Sequence, residues 1–149
     1  MTIKGNIISF RGIRIEPEFF YPNMEEVGWT LKPKILNFEI KIIDQNEEKE
    51  EKKIDGRILA ILKHRTDFPT GQILASVLIR AGKQIPEKLI NIPIYFPDTI
   101  WIDDEGAERS PFIFCSDKEK KQWSMKWYYV KEYCPEIFAI VEKIFVSPI

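Results

Sequence analysis

KEKKQWSMKWYYVKEYCPEIFAIVEKIF, Lys118 to Phe145, carries two of the chain's four tryptophans and three of its five tyrosines. Its reading decides the fold. As a strand, the first half puts Trp123, Met125, Trp127 and Tyr129 on one face and Ser124, Lys126, Tyr128 and Val130 on the other. WYYV, Trp127 to Val130, holds only strong strand formers. As a helix, it would begin at Ser116, which stands three residues before Glu119 in capping-box spacing, with Trp123, Trp127 and Val130 following at helical intervals. The strand reading is preferred, with FIFC (Phe112 to Cys115) as its hairpin partner and SDKEKK (Ser116 to Lys121) as the loop. On that reading the Trp123 face is core, and Tyr128 stays outside beside Lys126. The second half, PEIFAIVEKIF (Pro135 to Phe145), reads as a helix. Pro135 suits a first helical position, and Ile137, Ile140, Val141, Ile144 and Phe145 form one apolar stripe.

Outward from this stretch, period-two patterns dominate. ILNFEIKII (Ile35 to Ile43) alternates, with Leu36, Phe38, Ile40 and Ile42 inward. IDGRILAILKH (Ile54 to His64) is expected to return against it as a hairpin, with Ile58, Ala60 and Leu62 on one face. The charged run Asp44 to Lys53 between them reads as a solvated loop. IISFRGIRI (Ile7 to Ile15) is β-rich, and a bulge at Gly12 would bring Ile8, Phe10, Ile13 and Ile15 to one side. Phe19, Phe20, Tyr21 and Trp29 form an aromatic cluster expected to fold back on the core. TGQILASVLIR (Thr70 to Arg80) fits a helix capped by Thr70 and stopped by Gly82. It fits a strand as well, and its β-branched residues tip the reading to strand. Pro86 starts a short helical turn, and Pro97 divides two strands, NIPIYF and TIWID. Asp103 to Gly106 form a hairpin turn with Gly106 at the position that needs positive φ.

The chain has 149 residues, 44% hydrophobic and 30% charged, with a net charge of −1. Those values point to a single globular domain, residues 1–149, long enough to bury a core without metal or disulfide. A near-neutral chain offers no global field for nucleic acid or membrane, so any such contact needs a local patch. MTIKGNIISF has no long apolar core of a signal peptide, and the longest apolar runs are too short to span a bilayer. The expectation is a soluble, cytoplasmic protein with Cys115 and Cys134 reduced and no membrane partner.

Candidate chemistry is sparse. His64 is the sole histidine, which leaves any histidine relay dependent on it and removes zinc sites built on two histidines. Asp67 lies near it, without a nucleophile-elbow motif. No phosphate-cradling glycine pattern occurs. Pro97–Asp98 followed by Glu119 to Lys121 has the shape of a PD…ExK metal-dependent nuclease signature, in which two carboxylates hold a divalent ion at the scissile phosphate. Lys120, Lys121, Lys126, Trp127 and Tyr128 have the residue types that hold single-stranded nucleic acid, bases on rings and phosphates on lysines.

GNIISFRGIRIEPE (Gly5 to Glu18), followed by Ile35 to Arg65, is similar to the opening of bacterial single-stranded DNA-binding proteins. Asn6, Gly12, Glu16, Pro17 and Glu18 are the matching residues. The Gly-rich tail with an acidic tip is absent, and one residue must be deleted. The same layout resembles SecB-type chaperones, whose sheets present apolar grooves to unfolded chains. The two likenesses share an antiparallel meander and imply no common function.

The sequence therefore predicts a β-rich α+β domain, an antiparallel sheet or partly closed sandwich or barrel, with a C-terminal helix. The expected function is non-enzymatic binding, through a protein partner or self-association as a homo-oligomer or a subunit of a larger assembly. No catalytic residue, cofactor or metal is assigned. Single-stranded nucleic-acid binding is the alternative, and a metal-dependent nuclease the second.

Overall fold

Alternation in ILNFEIKII produces a long strand, β3 (Lys34–Asp44), with Leu36, Phe38, Ile40 and Ile42 buried as expected. The computed structural model describes residues 1–16, 32–46, 54–62 and 71–148. The aromatic cluster at Phe19–Tyr21 and Trp29, most of the charged run, Thr70, Asp67 and His64 lie outside them. On one side β3 pairs antiparallel with β2 (Ile7–Ile15), which pairs with β1 (Thr2–Lys4). Phe10 opposes Phe38 and Ile13 opposes Leu36, so β2 carries one extra residue there. Gly12 supplies it at φ +72°, and its N–H donates to Asn37 Oδ1 at 2.9 Å. The bulge keeps Phe10, Ile13 and Ile15 with one core, as the parity change in the sequence requires.

On its other side β3 pairs with the segment expected to be the C-terminal helix. Residues Ile137–Pro148 form a twelve-residue strand, β8. Two features made it look helical. Phe138 and Ile140 are buried on one face of the sheet while Ala139, Val141 and Ile144 are buried on the other. A strand covered on both faces loses alternation. Its register with β3 also slips by one residue, because Asn37 faces Phe145 while Glu39 faces Glu142. That bulge puts Val141 and Ile144 on the same side at a spacing of three, which imitates a helical stripe.

β8 pairs parallel with β4 (Ile94–Tyr95), which pairs antiparallel with β6 (Glu108–Phe114). β5 (Trp101–Ile102) and β7 (Ser124–Tyr129) also pair with β6, so β6 and β7 form the expected hairpin. Between β5 and β6, Gly106 sits at φ +83°, and Asp103 Oδ1 accepts from the N–H groups of Glu105 and Ala107. The eight strands among the described residues form one mixed, open sheet. The fold is broadly α+β and β-rich, and the expectations of a purely antiparallel sheet, of closure and of a C-terminal helix are corrected.

Two segments read as strands are helices, one on each face of the sheet. The expected hairpin partner of β3 instead contains α1 (Gly56–Leu62), started by Asp55, whose Oδ1 accepts from the N–H groups of Arg57 and Ile58 at 3.0 Å. With that hairpin gone, the charged-hairpin part of both family likenesses is gone too. Leu59 packs with Tyr95, Tyr128, Cys134, Phe138 and Ile140. Gln45 holds this layer in place, donating to the carbonyls of Cys134 and Pro135 and accepting from Ile54 N–H. On the opposite face lies α2 (Gly71–Arg80), burying Leu74, Ala75, Val77 and Leu78 in the larger core cluster and packing over β6 and β7. Its first turn is satisfied from afar, by Thr99 Oγ1 accepting from Gln72 N–H. Two 3₁₀ turns follow, Gly82–Gln84 and Glu87–Leu89, the second led by Pro86 as expected.

Candidate functional site

β7 forms as the sequence predicts, yet its faces are not disposed as predicted. Tyr128, expected outside, is 7% exposed. α1 covers it so closely that a Cβ on Gly56 would stand 2.6 Å from Tyr128 Cε2. Burial pushes the Tyr128 phenol well above its ordinary value, and Tyr95 beside it, 4.6 Å between ring centroids, is raised for the same reason. Trp127 and Tyr129, expected in the core with Trp123 and Met125, are exposed. Trp123 is buried and Met125 packs against the α2-side core. The Trp127 end of this face lies beside Gln72 in the first turn of α2 and stays partly open, with Trp127 36% exposed.

There the sheet builds a continuous aromatic surface. Trp101 on β5 faces Arg109 on β6, and Arg109 faces Tyr129 on β7. Residues directly opposite share a face, so the three form one row across three strands. Trp127 lies one step along, opposite Pro111. Arg109 is fixed at the centre: its guanidinium lies 4.0 Å over the Tyr129 ring, its Nη2 donates to the Tyr129 hydroxyl, and its Nε donates to Asp103 Oδ2 at 2.8 Å. That hydrogen bond, with the backbone N–H groups of Ala107 and Glu105, holds the Asp103 carboxyl below its usual range. Trp101 Nε1 donates to Gln72 Oε1 at 3.2 Å, tying the ring to α2. Trp101 is nevertheless 59% exposed and Ile102 71%. A large ring held at its polar edge and otherwise exposed, as Trp101 is, suits recognition of another surface.

The five sequence-derived candidates do not form one site. Lys126 shares a face with Tyr128, and Trp127 points to the other face, so Lys126 and Trp127 flank the sheet rather than each other. Lys120 and Lys121 lie at the far end of the hairpin, in a cleft with Arg80, Lys83 and Trp123. The nuclease-like residues also separate. Asp98 lies against Gly71 at the start of α2, whereas Lys121 lies against Gly82 just beyond its end. A ten-residue helix, about 15 Å long, stands between them. No cluster of three metal-ligating side chains occurs among the described residues.

Sequence reasoning missed Trp101, Ile102 and Arg109. The available signal was in TIWID, where two large apolar residues stand next to each other just before a turn, so both strand faces are apolar at an edge. No family model, no curated protein and no solved structure matches this chain.

Proposed function

We propose that this chain is a non-enzymatic binding protein whose contact surface is the Trp101–Arg109–Tyr129 row with Trp127 and Ile102. The observation that carries this reading is the row itself: Trp101 held through its indole N–H by Gln72 yet 59% exposed, beside Tyr129 braced by Arg109. Trp, Tyr and Arg are the residue types that dominate binding energy at protein interfaces, because they bring large area at small entropic cost. A second copy of the chain is the occupant this reading favours. With a net charge of −1, two copies repel each other little.

Analytical ultracentrifugation over a wide concentration range tests it. Self-association is expected, weakened about thirtyfold or more by Trp101→Ala if Trp101 is an anchor worth about 2 kcal/mol. A chain that stays monomeric at high micromolar concentration, or a dimer indifferent to both Trp101→Ala and Trp127→Ala, overturns the reading.

A further inference from the structure

We infer that the cleft between the end of α2 and the β6–β7 loop binds phosphate-bearing anions. It lies at the opposite end of α2 from the aromatic row and does not rest on the proposal above. Two segments distant in sequence meet there, Ile79 to Gln84 and Lys120 to Ser124, around a volume of about 880 Å³. Lys83, Lys120 and Lys121 converge on it, and Arg80 adds a fourth positive charge. Those three lysines form no ion pair among the described residues. Among the described residues no carboxylate lines the cleft. Asp117, close by in the loop, has its Oδ1 engaged by the N–H groups of Glu119 and Lys120 at 2.9 and 3.2 Å. In a chain of net charge −1, such a concentration of cations is local. Like charges gathered in a concave site repel one another and focus a positive field outward, and a bound anion relieves the first by using the second.

The walls are built in advance of any ligand. Lys121 holds a left-handed backbone, φ 49°, uncommon for a residue with a side chain, and its N–H donates to the Asp117 carbonyl at 3.0 Å. A Cβ on Gly82 would stand 2.8 Å from Trp123 Cδ1 and 3.2 Å from the Lys121 carbonyl oxygen, so only glycine lets the two segments close to this distance. Trp123 Nε1 is buried in the same wall and has no hydrogen-bond partner among the described residues. Just beyond α2 the backbone is closed by the 3₁₀ turn, where Gln84 N–H donates to Ala81 O and Ile85 N–H to Gly82 O.

Lysine ammoniums are compact point charges that suit phosphate oxygens without demanding a planar partner. The indole is buried and offers no open face for a base. The cleft therefore reads phosphate, carried either by a small phosphorylated metabolite or by the backbone of a single-stranded nucleic acid.

Pyrophosphate and a short oligothymidylate, each titrated at about 20 mM and about 200 mM salt, test this. The readout is the Trp123 indole N–H resonance, assigned through Trp123→Phe. Pyrophosphate is expected to shift it saturably. Affinity is expected to fall about tenfold in K83Q/K120Q/K121Q and to weaken with salt. If the triple variant does not fold, K83Q/K120Q, altering two exposed side chains, carries the same test. An oligothymidylate that displaces pyrophosphate identifies nucleic-acid backbone as the source; pyrophosphate binding without that competition identifies a small molecule. No shift with either ligand at low salt, or equal affinity in the lysine variants, overturns the inference.

Discussion

Phe138 and Phe145 sit seven residues apart in one strand and are expected to answer truncation in opposite ways. Phe138 is 0% exposed, packed edge-on to Tyr95 at 5.7 Å between ring centroids and in one cluster with Leu59 and Ile140. Phe138→Ala removes a fully buried ring and leaves a cavity under α1, a change that costs about 3–5 kcal/mol. Phe145 is 65% exposed, so Phe145→Ala should stay within about 0.5 kcal/mol. With a urea m-value of about 2 kcal/mol/M, the first variant lowers the unfolding midpoint by about 2 M and the second by no more than about 0.3 M. Phe138→Leu, expected to cost about 1.5 kcal/mol or less, keeps the comparison measurable if the alanine variant does not fold. The measurement is urea unfolding followed by circular dichroism, with unchanged m as the check that the midpoints report stability. A helix with the stripe Ile137, Ile140, Val141, Ile144 and Phe145 demands the reverse order, with Phe145 the costly site. Equal losses at the two positions, or a larger one at Phe145, would refute the placement of this strand.

Three further outcomes follow from the structure. Gly56→Ala and Gly71→Ala, each at the start of a helix where alanine ordinarily helps by about 1 kcal/mol, should instead destabilise by about 1–3 kcal/mol in thermal unfolding. The added Cβ would stand 2.6 Å from Tyr128 Cε2 in one case and well inside van der Waals contact of Thr99 Oγ1 in the other. Burial pushes the Cys134 thiol up to about 12, so it should resist alkylation at pH 8 until the chain is unfolded in urea. Because the folded thiol ionises later than the unfolded one, its share of stability is intact below about pH 8.5 and is lost as pH rises from there toward 12. Asp103 works in the other direction: its lowered pKa supports the folded state above about pH 4, and that support fades as pH falls through the folded value. Acidification should therefore release Arg109 and alter the fluorescence of the neighbouring tryptophans, whereas Asp103→Asn should show the altered spectrum already at neutral pH.

Local chemistry was legible wherever one residue type does one job. The Gly12 bulge, the Asp103–Gly106 turn, the alternation of β3 and the β6–β7 hairpin all follow from residues within a few positions of each other. What was not legible depended on coverage from a distance. Tyr128 reads as an outward residue until α1 lies over it, and Trp127 reads as an inward one until the first turn of α2 leaves it partly open. β8 lost its alternation because both of its faces are buried and a bulge resets its phase. α2 carries β-branched residues that favour a strand intrinsically, and burial of Leu74, Ala75, Val77 and Leu78 on one side outweighs them. Lys83 could not be grouped with Lys120 and Lys121 from sequence, because the fold alone brings Gly82 against Trp123.

The position of β8 governs the order in which this chain can acquire its structure. β1, β2 and β3 are joined to each other early in the sequence, and β4 through β7 form a second neighbourhood around β6. Among the described strands β8 comes last in sequence and bonds to both, antiparallel to β3 and parallel to β4. A nascent chain stalled before Ile137 would hold two half-sheets, each with an exposed apolar edge at the seam. Such intermediates are prone to aggregate, and pairing across large sequence separations is slow. Insertion of the last strand is then expected to be the cooperative step, with ribosome-bound chains ending short of Ile137 remaining protease-sensitive throughout.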